Sequence, residues 1–355
     1  MNSKPFLAAT VGDPAGIGPE IALKCLLDPQ IQAISRSIAY GDPSILRRAA
    51  NCIGLNPDFN VIDEPSQFID EPNTVNIHDV GIVADASDIE WGVIQAMAGQ
   101  SAVAAIEQAT SDAMNRHVDG VVTGPINKEA IWASGSKFIG HTEMIANLTK
   151  ARFADTMFVV DDLCVFFATR HMSLAQAACS IKRDMLEAQI RRSLTALQVF
   201  GHDIPILAVA ALNPHGGEGG HFGREEIDEI VPAIEAVNRD ISNGDIAAAE
   251  VAGPIPADSV FHLGLQGRYD GIVSLYHDQG HIATKTYSFD KTVSVTVGLP
   301  ILRTSVDHGT AFDIAGTGQA SHTTMMSAIR AGAKYSRYVD RIRKQYGDAD
   351  QSGKG

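Results

Sequence analysis

The sequence predicts an α/β protein whose strands form a mostly parallel sheet. Short apolar runs alternate with amphipathic stretches along the chain, which is typical of strands that alternate with helices. The first apolar run, at 6–11, leads through a glycine-rich turn into a helical pattern, as expected of a βα unit. The 355 residues are enough for two ordinary domains or for one large α/β unit.

Each element is predicted from its own pattern. Apolar residues at helical spacing predict helices at 19–27, 94–116, 125–133, 185–199 and 224–238. Short apolar runs predict strands at 6–11, 121–123, 156–160, 165–169, 206–212, 271–276 and 293–297. We predict one α/β domain formed by 1–130 with 300–345, a second α/β domain at 131–299, and a frayed tail at 346–355.

Composition excludes several classes of protein. Hydrophobic residues make up 45% of the chain and charged residues 20%, which is a globular composition. The net charge of −14 argues against nucleic acid or an anionic membrane as the main partner. No apolar run reaches the ~18 residues of a membrane span, the N-terminal apolar patch is too short for a signal peptide, and the four cysteines form no CxxC pair. We therefore expect a cytoplasmic protein with reduced thiols.

Several predicted strands end in polar clusters. In open parallel sheets, ligands bind beyond the carboxyl ends of the strands, and His171, His215 and His277 each follow such a strand. Three imidazoles suit a zinc site with open positions for water and substrate, and also cobalt or manganese. A single histidine is more often a hydrogen-bonding loop residue, so the shared placement carries this hypothesis. His281 is an alternative ligand, and Asp278 is either a further ligand or a group that orients one.

Two glycine-rich segments carry further chemistry. The loop at 12–20 follows a strand and opens a helix, so its glycines allow close backbone approach to an anionic ligand; a plain tight turn is the alternative, since GxGxxG is absent. The run at 303–318 is rich in glycine and polar residues. Arg303, together with Lys285, is a candidate clamp for a phosphate or carboxylate, although an isolated cationic side chain is more often a solvated surface group.

Longer motifs support a resemblance to known proteins. The loop at 12–21 and HGTAFDIAG at 308–316 resemble the N-terminal and adenosine-binding loops of the isocitrate/isopropylmalate dehydrogenase superfamily. Over about residues 5–332 the chain is more similar to the 4-hydroxythreonine-4-phosphate dehydrogenase family of pyridoxine biosynthesis. The matching motifs are VGDPAGIGPE at 11–20, GPINKEAI at 124–131, GHTE at 140–143, LNPHGGEGGHFG at 212–223, GPIPAD at 253–258, YHDQG at 276–280 and GLPILRTSVDHGTA at 298–311.

The resemblance implies a fold, an assembly and a set of site residues. It implies two α/β/α domains with a cleft between them, in a homodimer with the active site at the subunit interface. A divalent metal (zinc, or else cobalt, manganese or magnesium) would be held by His171, His215 and His277 and shared between chains. NAD or NADP would contact the two glycine-rich loops, at Gly12, Gly16, His308, Gly309, Asp313 and Gly316. The substrate positions are His141, Thr142, Lys285 and Arg303, with Ser294 at a position where the family usually has Asn.

The resemblance also implies a reaction. We expect metal-dependent, NAD(P)-linked oxidation and decarboxylation of a 3-hydroxy four-carbon acid phosphorylated at C4, with Asp278 or Lys285 transferring a proton. The segments 280–287 and 293–296 look more like a branch that acts on D-threonate or D-erythronate 4-phosphate and yields dihydroxyacetone phosphate and CO₂. A non-redox metalloenzyme on a similar fold and a non-catalytic small-molecule binding protein are the alternatives from other classes.

Overall fold

The chain divides into two compact units. A computed structural model describes residues 4–138 and 140–347. One unit comprises Met1–Ala154 with Val293–Gly355, and the other comprises Asp155–Thr292. The sequence predicted that the chain passes from one domain to the other at 130/131 and returns at 299/300. The first crossing comes later in the structure because Met144 and Ile145 pack into the core of the first unit.

Twelve strands lie within the described residues. They are β1 (Phe6–Thr10), β2 (Arg36–Gly41), β3 (Asp58–Ile62), β4 (Thr74–Asp79), β5 (Gly120–Thr123), β6 (Asp155–Val160), β7 (Leu163–Phe167), β8 (Ile206–Ala210), β9 (Glu250–Ile255), β10 (Gly271–Ser274), β11 (Val293–Val297) and β12 (Arg303–Ser305).

The described helices alternate with these strands. They are α1 (Gly18–Leu26), α2 (Pro29–Ile34), α3 (Pro43–Cys52), α4 (Ala96–Met114), α5 (Lys128–Ala133), α6 (His141–Leu148), α7 (Leu174–Ser180), α8 (Arg183–Val199), α9 (Val231–Asn243), α10 (Ala257–Leu265), α11 (His277–Tyr287), α12 (Thr323–Tyr335) and α13 (Val339–Tyr346). None of the helices in the described part of the chain is both long and apolar enough to cross a membrane. Tyr346, the first residue of the predicted tail, ends α13, and 348–355 lie outside the described residues.

In the first unit the strands run in the order β3-β4-β2-β1-β5-β12-β11. All neighbours pair in parallel except β11 and β12, which are antiparallel. The strands β1 and β5 consist almost wholly of buried residues, as expected of strands covered on both faces. The α/β class and the mostly parallel sheet are therefore confirmed.

In the second unit the strands run in the order β6-β7-β10-β8-β9. The strands β6 and β7 form an antiparallel pair, and β7, β10, β8 and β9 pair in parallel. The core contains Phe158, Val165, Ala208 and Ile272, which come from four different strands. The carboxyl ends of β7, β10 and β8 consequently lie side by side at one edge of this sheet.

Some elements differ from their predictions. The strands β2, β3, β4, β9 and β12 were not predicted; β3 is half-exposed at the sheet edge, and β12 is only three residues long with no apolar run. The predicted helix at 224–238 is a π-helical turn, Glu226–Ile230, followed by α9. Single turns of π-helix are rare and often occur at functional sites.

The contact of α4 with α5 depends on a glycine. A Cβ atom added to Gly99 of α4 would lie 2.0 Å from the carbonyl oxygen of Ala130 in α5. We predict that Gly99→Ala destabilises the protein by about 1–3 kcal/mol, because overpacking outweighs the better helix propensity of alanine. Urea unfolding measures the change. Gly309→Ala is the control, since nothing lies within 4 Å of a Cβ there; equal stability of both variants would contradict the close contact.

Candidate active site

A patch of hydroxyl groups lies across neighbouring strands of the first unit. Thr10 of β1 pairs with Thr123 of β5, Thr123 pairs with Ser305 of β12, and Ser305 pairs with Ser294 of β11. Residues paired in register point to the same face of a sheet, so these four side chains form one polar row. Thr296 belongs to the same face, since it lies two residues beyond Ser294 on β11. All five residues are buried.

Arg303 lies within this patch and is held by hydroxyl groups. Its Nη1 donates to Oγ1 of Thr296 at 2.8 Å and to Oγ1 of Thr142 at 3.4 Å. Its Nε and Nη2 donate to Oγ1 of Thr123 at 3.2 and 2.8 Å. The residue is only 4% exposed, and burial lowers the pKa of its guanidinium to about 10. No carboxylate of the described residues pairs with it, so a positive charge is buried without a counter-ion.

His141 is the first residue of α6 and is affected by the same charge. Burial, and then the charge of Arg303, hold the pKa of His141 well below its ordinary value, so the imidazole is neutral at physiological pH. Its Nε2 is buried and has no hydrogen-bond partner within 4–138 and 140–347. The structure thus brings together the predicted substrate residues His141, Thr142, Ser294 and Arg303, around a site that favours an anion.

The two glycine-rich segments contact each other in the first unit. The amide of Ile17 donates to the carbonyl oxygen of Thr310 at 3.0 Å, and a Cβ on Gly16 would lie 2.8 Å from the Thr310 side chain. Gly12 has a φ of +77°, and a Cβ there would lie 2.2 Å from the carbonyl oxygen of Pro125. Only glycine fits either position, which explains both residues without reference to a ligand.

The end of the second glycine-rich segment is fixed by three side chains. The amide of Gly316 donates to Oε1 of the buried Glu20 at 2.7 Å, and the Sγ of Cys52 lies 2.8 Å from the Gly316 carbonyl oxygen. Trp91 packs against Gly316, where a Cβ would meet its indole at 2.6 Å. Within the segment, Nδ1 of His308 contacts the carbonyl oxygen of Gly309 at 2.9 Å, and Gly309 and Asp313 are exposed.

Asp13 is an unusual carboxyl group in the first glycine-rich segment. It is fully buried, its Oδ1 accepts the amide of Ala15 at 2.8 Å, and its Oδ2 has no partner among the described residues. Burial raises the pKa of Asp13 to about 6, against the lowering effect of the backbone amides of Ala15 and Asn127. The side chain is therefore protonated over part of the mildly acidic range.

The three predicted metal-binding histidines all lie in the second unit. His171 follows β7, His277 follows β10 and His215 follows β8, and these three strands are consecutive neighbours. The rings of His171 and His277 are 5.7 Å apart, measured between centroids. His281 lies one turn along α11, and its ring stacks on His277 at 3.8 Å.

Carboxylates contact two of these imidazoles. Nδ1 of His277 lies 2.7 Å from Oδ1 of Asp278, and Nδ1 of His215 lies 3.2 Å from Oε1 of Glu218. The contact at His277 is a hydrogen bond. An imidazole that donates Nδ1–H to a carboxylate keeps its Nε2 lone pair for a metal, so the donor chemistry of His277 fits a divalent ion. However, no three His, Cys, Asp or Glu side chains of the described chain converge closely enough to hold an ion between them.

Lys285 lies in the last turn of α11, with its Nζ 5.2 Å from the centroid of the Phe289 ring.

Five side chains that organise these sites were not found from the sequence: Thr123, Thr296, Glu20, Trp91 and Glu218. The alternating pattern VSVTV at 293–297 is the signal that could have found Thr296, since period-two polarity marks one face of a strand. Thr123, Glu20 and Trp91 act through contacts between distant segments, and the contact of Glu218 with His215 depends on the turn conformation at 215–219.

Several proteins that are similar to this chain are named as dehydrogenases. A Cutibacterium acnes protein named "Putative D-threonate 4-phosphate dehydrogenase" is 53% identical over 346 residues, covering 98% of both chains. A protein of the same name from Symbiobacterium thermophilum is 48% identical, covering 97% of this chain and all of that one. The crystal structure of a 4-hydroxythreonine-4-phosphate dehydrogenase from Klebsiella pneumoniae superposes with a TM-score of 0.85 at 37% identity, covering 95% of this chain and 99% of that one.

These similarities define the class of the protein as a dehydrogenase of the α/β fold. The family model described as pyridoxal phosphate biosynthetic protein PdxA matches residues 33–332. The chain belongs to this family, and the resemblance stated from its motifs is confirmed.

The buried carboxyl group of Asp13 makes the stability of the protein depend on pH. Between the unfolded pKa near 3.8 and the folded value near 6, the native protein keeps a proton that the unfolded chain loses, so this site destabilises the fold as pH rises. We predict that the free energy of unfolding of Asp13→Asn, relative to that of the unsubstituted protein, rises by roughly 3 kcal/mol as the pH is raised from 4 to 8. This figure follows from the pKa shift at about 1.4 kcal/mol per pKa unit. Urea unfolding at several pH values measures this. Asp313→Asn removes an exposed carboxylate and is the charge-matched control. If the difference in free energy of unfolding between Asp13→Asn and the unsubstituted protein did not change with pH, the raised pKa of Asp13 would be contradicted.

Proposed function

We propose that this protein oxidises a 3-hydroxy four-carbon acid phosphorylated at C4, with NAD or NADP as the oxidant and with loss of CO₂. The observation that carries the proposal is the buried, uncompensated guanidinium of Arg303 among threonine hydroxyls. Burying a charge is costly unless an opposite charge joins it, so this position favours binding of an anionic group. A phosphate or carboxylate of the substrate would supply that charge, and Arg recognises either through its fork of N–H groups.

The neighbours of Arg303 support a particular substrate. We propose D-threonate 4-phosphate or D-erythronate 4-phosphate, which carry a neutral hydroxyl at C2. In 4-hydroxythreonine 4-phosphate that position is an amine, whereas the groups that contact Arg303 are hydroxyls and the nearby His141 imidazole is neutral. Ser294 adds another hydroxyl to this face. The names of the two relatives at 53% and 48% identity support the same choice.

We propose roles for the candidate residues of each unit separately. In the first unit, Arg303 and Thr142 bind the anionic group, and the buried Nε2 of neutral His141 hydrogen-bonds the substrate. The contacting glycine-rich segments, with Gly12, Gly16 and 308–316, would bind a nicotinamide cofactor, which when bound would supply a hydride acceptor for oxidation at C3.

In the second unit, His171, His215 and His277 would hold a divalent metal, with zinc favoured by three imidazole donors. When bound, such an ion supplies positive charge that stabilises negative charge developing on the substrate oxygen during oxidation and decarboxylation. Lys285 is the proposed group for proton transfer. Asp278 was an equal candidate from the sequence, but its Oδ1 is engaged with Nδ1 of His277, which favours an orienting role.

We further propose a homodimer in which the metal site is shared between copies. Large apolar side chains are exposed close to each histidine along the chain: Leu174 is 63% exposed, Phe222 57% and Ile282 66%. Exposed apolar side chains of this size favour burial against another protein surface. The side chain of His215 is itself 67% exposed, which leaves it accessible to a second copy.

The test is a parallel assay of NADH and NADPH formation with metal-loaded protein. D-threonate 4-phosphate, D-erythronate 4-phosphate and 4-hydroxy-L-threonine 4-phosphate are the substrates. We expect kcat/KM to be at least about tenfold higher for one of the first two, which corresponds to roughly 1.4 kcal/mol of transition-state binding. A preference for 4-hydroxy-L-threonine 4-phosphate would overturn the choice of substrate. Absence of nicotinamide reduction with all three would overturn the proposed reaction.

A further inference from the structure

The side chain of Thr123 spends its whole hydrogen-bonding capacity on protein groups. Its Oγ1 accepts Nε and Nη2 of Arg303 at 3.2 and 2.8 Å, and it donates to Oγ of Ser305 at 2.8 Å. A hydroxyl group has one proton to donate and two lone pairs that accept. All three are engaged, so this fully buried side chain has no capacity left for a ligand.

A chain of hydrogen bonds fixes the direction of the Thr123 hydroxyl. Oγ of Ser305 accepts the Thr123 proton and donates its own proton to the carbonyl oxygen of Val306 at 3.0 Å. The guanidinium of Arg303 can only donate, and the Val306 carbonyl can only accept. Every proton in the chain is therefore directed from the guanidinium toward the backbone, and the lone pairs of Thr123 face Arg303.

The register of the sheet produces these contacts. Thr123 of β5 pairs with Ser305 of β12, and Arg303 lies two residues before Ser305, on the same face of the sheet. On the other side of β12, Thr296 of β11 lies directly opposite Arg303. The guanidinium is thus held between one hydroxyl from each neighbouring strand, so its position is set by the sheet itself.

These hydrogen bonds occupy the two edges of the guanidinium unequally. Nε and Nη2 share the side edge of the planar group, and both donate to the single oxygen of Thr123. Each Nη carries two N–H groups, so the second N–H of Nη2 points to the end edge, beside Nη1. Nη1 donates to Thr296 at 2.8 Å and to Thr142 at 3.4 Å, the longest of the four contacts. The side edge is therefore closed, and the end edge is the one that can receive a ligand.

We propose that Thr123 is a positioning residue that closes the side edge of Arg303 and directs its Nη1–Nη2 edge toward an anionic group of the substrate. This inference rests on the proposed anion-binding role of Arg303 and adds the orientation in which the guanidinium binds. A phosphate or carboxylate accepts two parallel N–H groups at that edge. The contact of Nη1 with Thr142 is the one that the arriving anion replaces most easily, whereas the contacts with Thr123 persist.

Three substitutions test this role. Thr123→Val replaces the hydroxyl with a methyl group of similar shape, so the side edge of Arg303 loses its acceptor. Affinity for D-threonate 4-phosphate should fall about tenfold, as expected when a hydrogen bond to a charged group is lost. Thr123→Ser keeps the hydroxyl and should bind within about twofold of the unsubstituted protein. Ser305→Ala does not touch Arg303 but releases the Thr123 proton, so affinity should fall about threefold through the hydrogen-bond chain.

The measurement is a calorimetric titration of each full-length variant, together with the NMR resonance of the Arg303 Nε–H group, assigned by its absence in Arg303→Met. This resonance should shift in Thr123→Val and Ser305→Ala, which a general loss of stability would not cause. Thr304→Val is the matched control, because it removes a buried hydroxyl of the same strand that donates to the carbonyl oxygen of Ala328 at 2.9 Å. It should change neither the affinity nor the resonance.

Unchanged or tighter binding by a folded Thr123→Val protein would overturn the proposal, because the anion would then use the side edge. If Thr123→Val does not fold, unchanged affinity and an unchanged Arg303 resonance in Ser305→Ala overturn it instead. Arg303→Met tests the anion site separately. Unchanged affinity in Arg303→Met refutes the proposed function of this site, whereas loss of affinity in Arg303→Met alone refutes only the role of Thr123.

Discussion

The buried charge of Arg303 is the constraint on which the anion-binding part of the structure depends. A guanidinium that is 4% exposed and has no carboxylate partner within 4–138 and 140–347 is tolerated only where its N–H groups are satisfied. Threonine hydroxyls from β5, β11 and α6 provide this, because β12 lies between β5 and β11 in the sheet. The hydroxyls satisfy hydrogen bonds but do not neutralise charge. The site therefore favours an anion. Burial, and then the charge of Arg303, hold the pKa of His141 well below its ordinary value, so its imidazole is neutral.

The antiparallel pairing of β11 with β12 makes this arrangement possible. It places Thr296 directly opposite Arg303 and Ser294 opposite Ser305, which concentrates polar groups on one face of an otherwise apolar sheet. The valines of β11 alternate with these residues and are buried. One strand thus contributes both to the hydrophobic core and to the candidate site, and its period-two pattern separates the two roles.

Glycines and strained residues determine where distant segments meet. Gly12, Gly16 and Gly316 each lie against backbone or a ring at distances that exclude a Cβ, so the two glycine-rich segments pack directly on their neighbours. At 215–219 the opposite occurs: the backbone conformation suits glycine, but His215 and Glu218 are present. In the first case glycine allows close packing, and in the second two residues with a Cβ adopt a conformation that favours glycine.

Much of this architecture was predictable from the sequence, and the exceptions have physical causes. The strands preceding His171, His215 and His277 were predicted because each is a clear apolar run, whereas their order as consecutive neighbours in the sheet was not predicted. By contrast, β12 has the sequence Arg-Thr-Ser, so its strand conformation comes from pairing with β5 and β11. The contacts of Glu20 with Gly316 and of Thr123 with Arg303 join residues far apart in the sequence. The pairing of Glu218 with His215 depends on a left-handed turn that a glycine-rich segment permits but does not specify.

The most direct test of the central claim is the contribution of Arg303 to ligand binding. Calorimetric titration with D-threonate 4-phosphate would compare the unsubstituted protein with Arg303→Met, and with Arg36→Met as a control that alters an arginine stacked on Phe6 in the same unit. We predict that Arg303→Met weakens binding by at least about 100-fold, since it removes charge-assisted hydrogen bonds worth roughly 3 kcal/mol, while Arg36→Met binds normally. A folded Arg303→Met protein that binds the ligand with unchanged affinity would contradict the account.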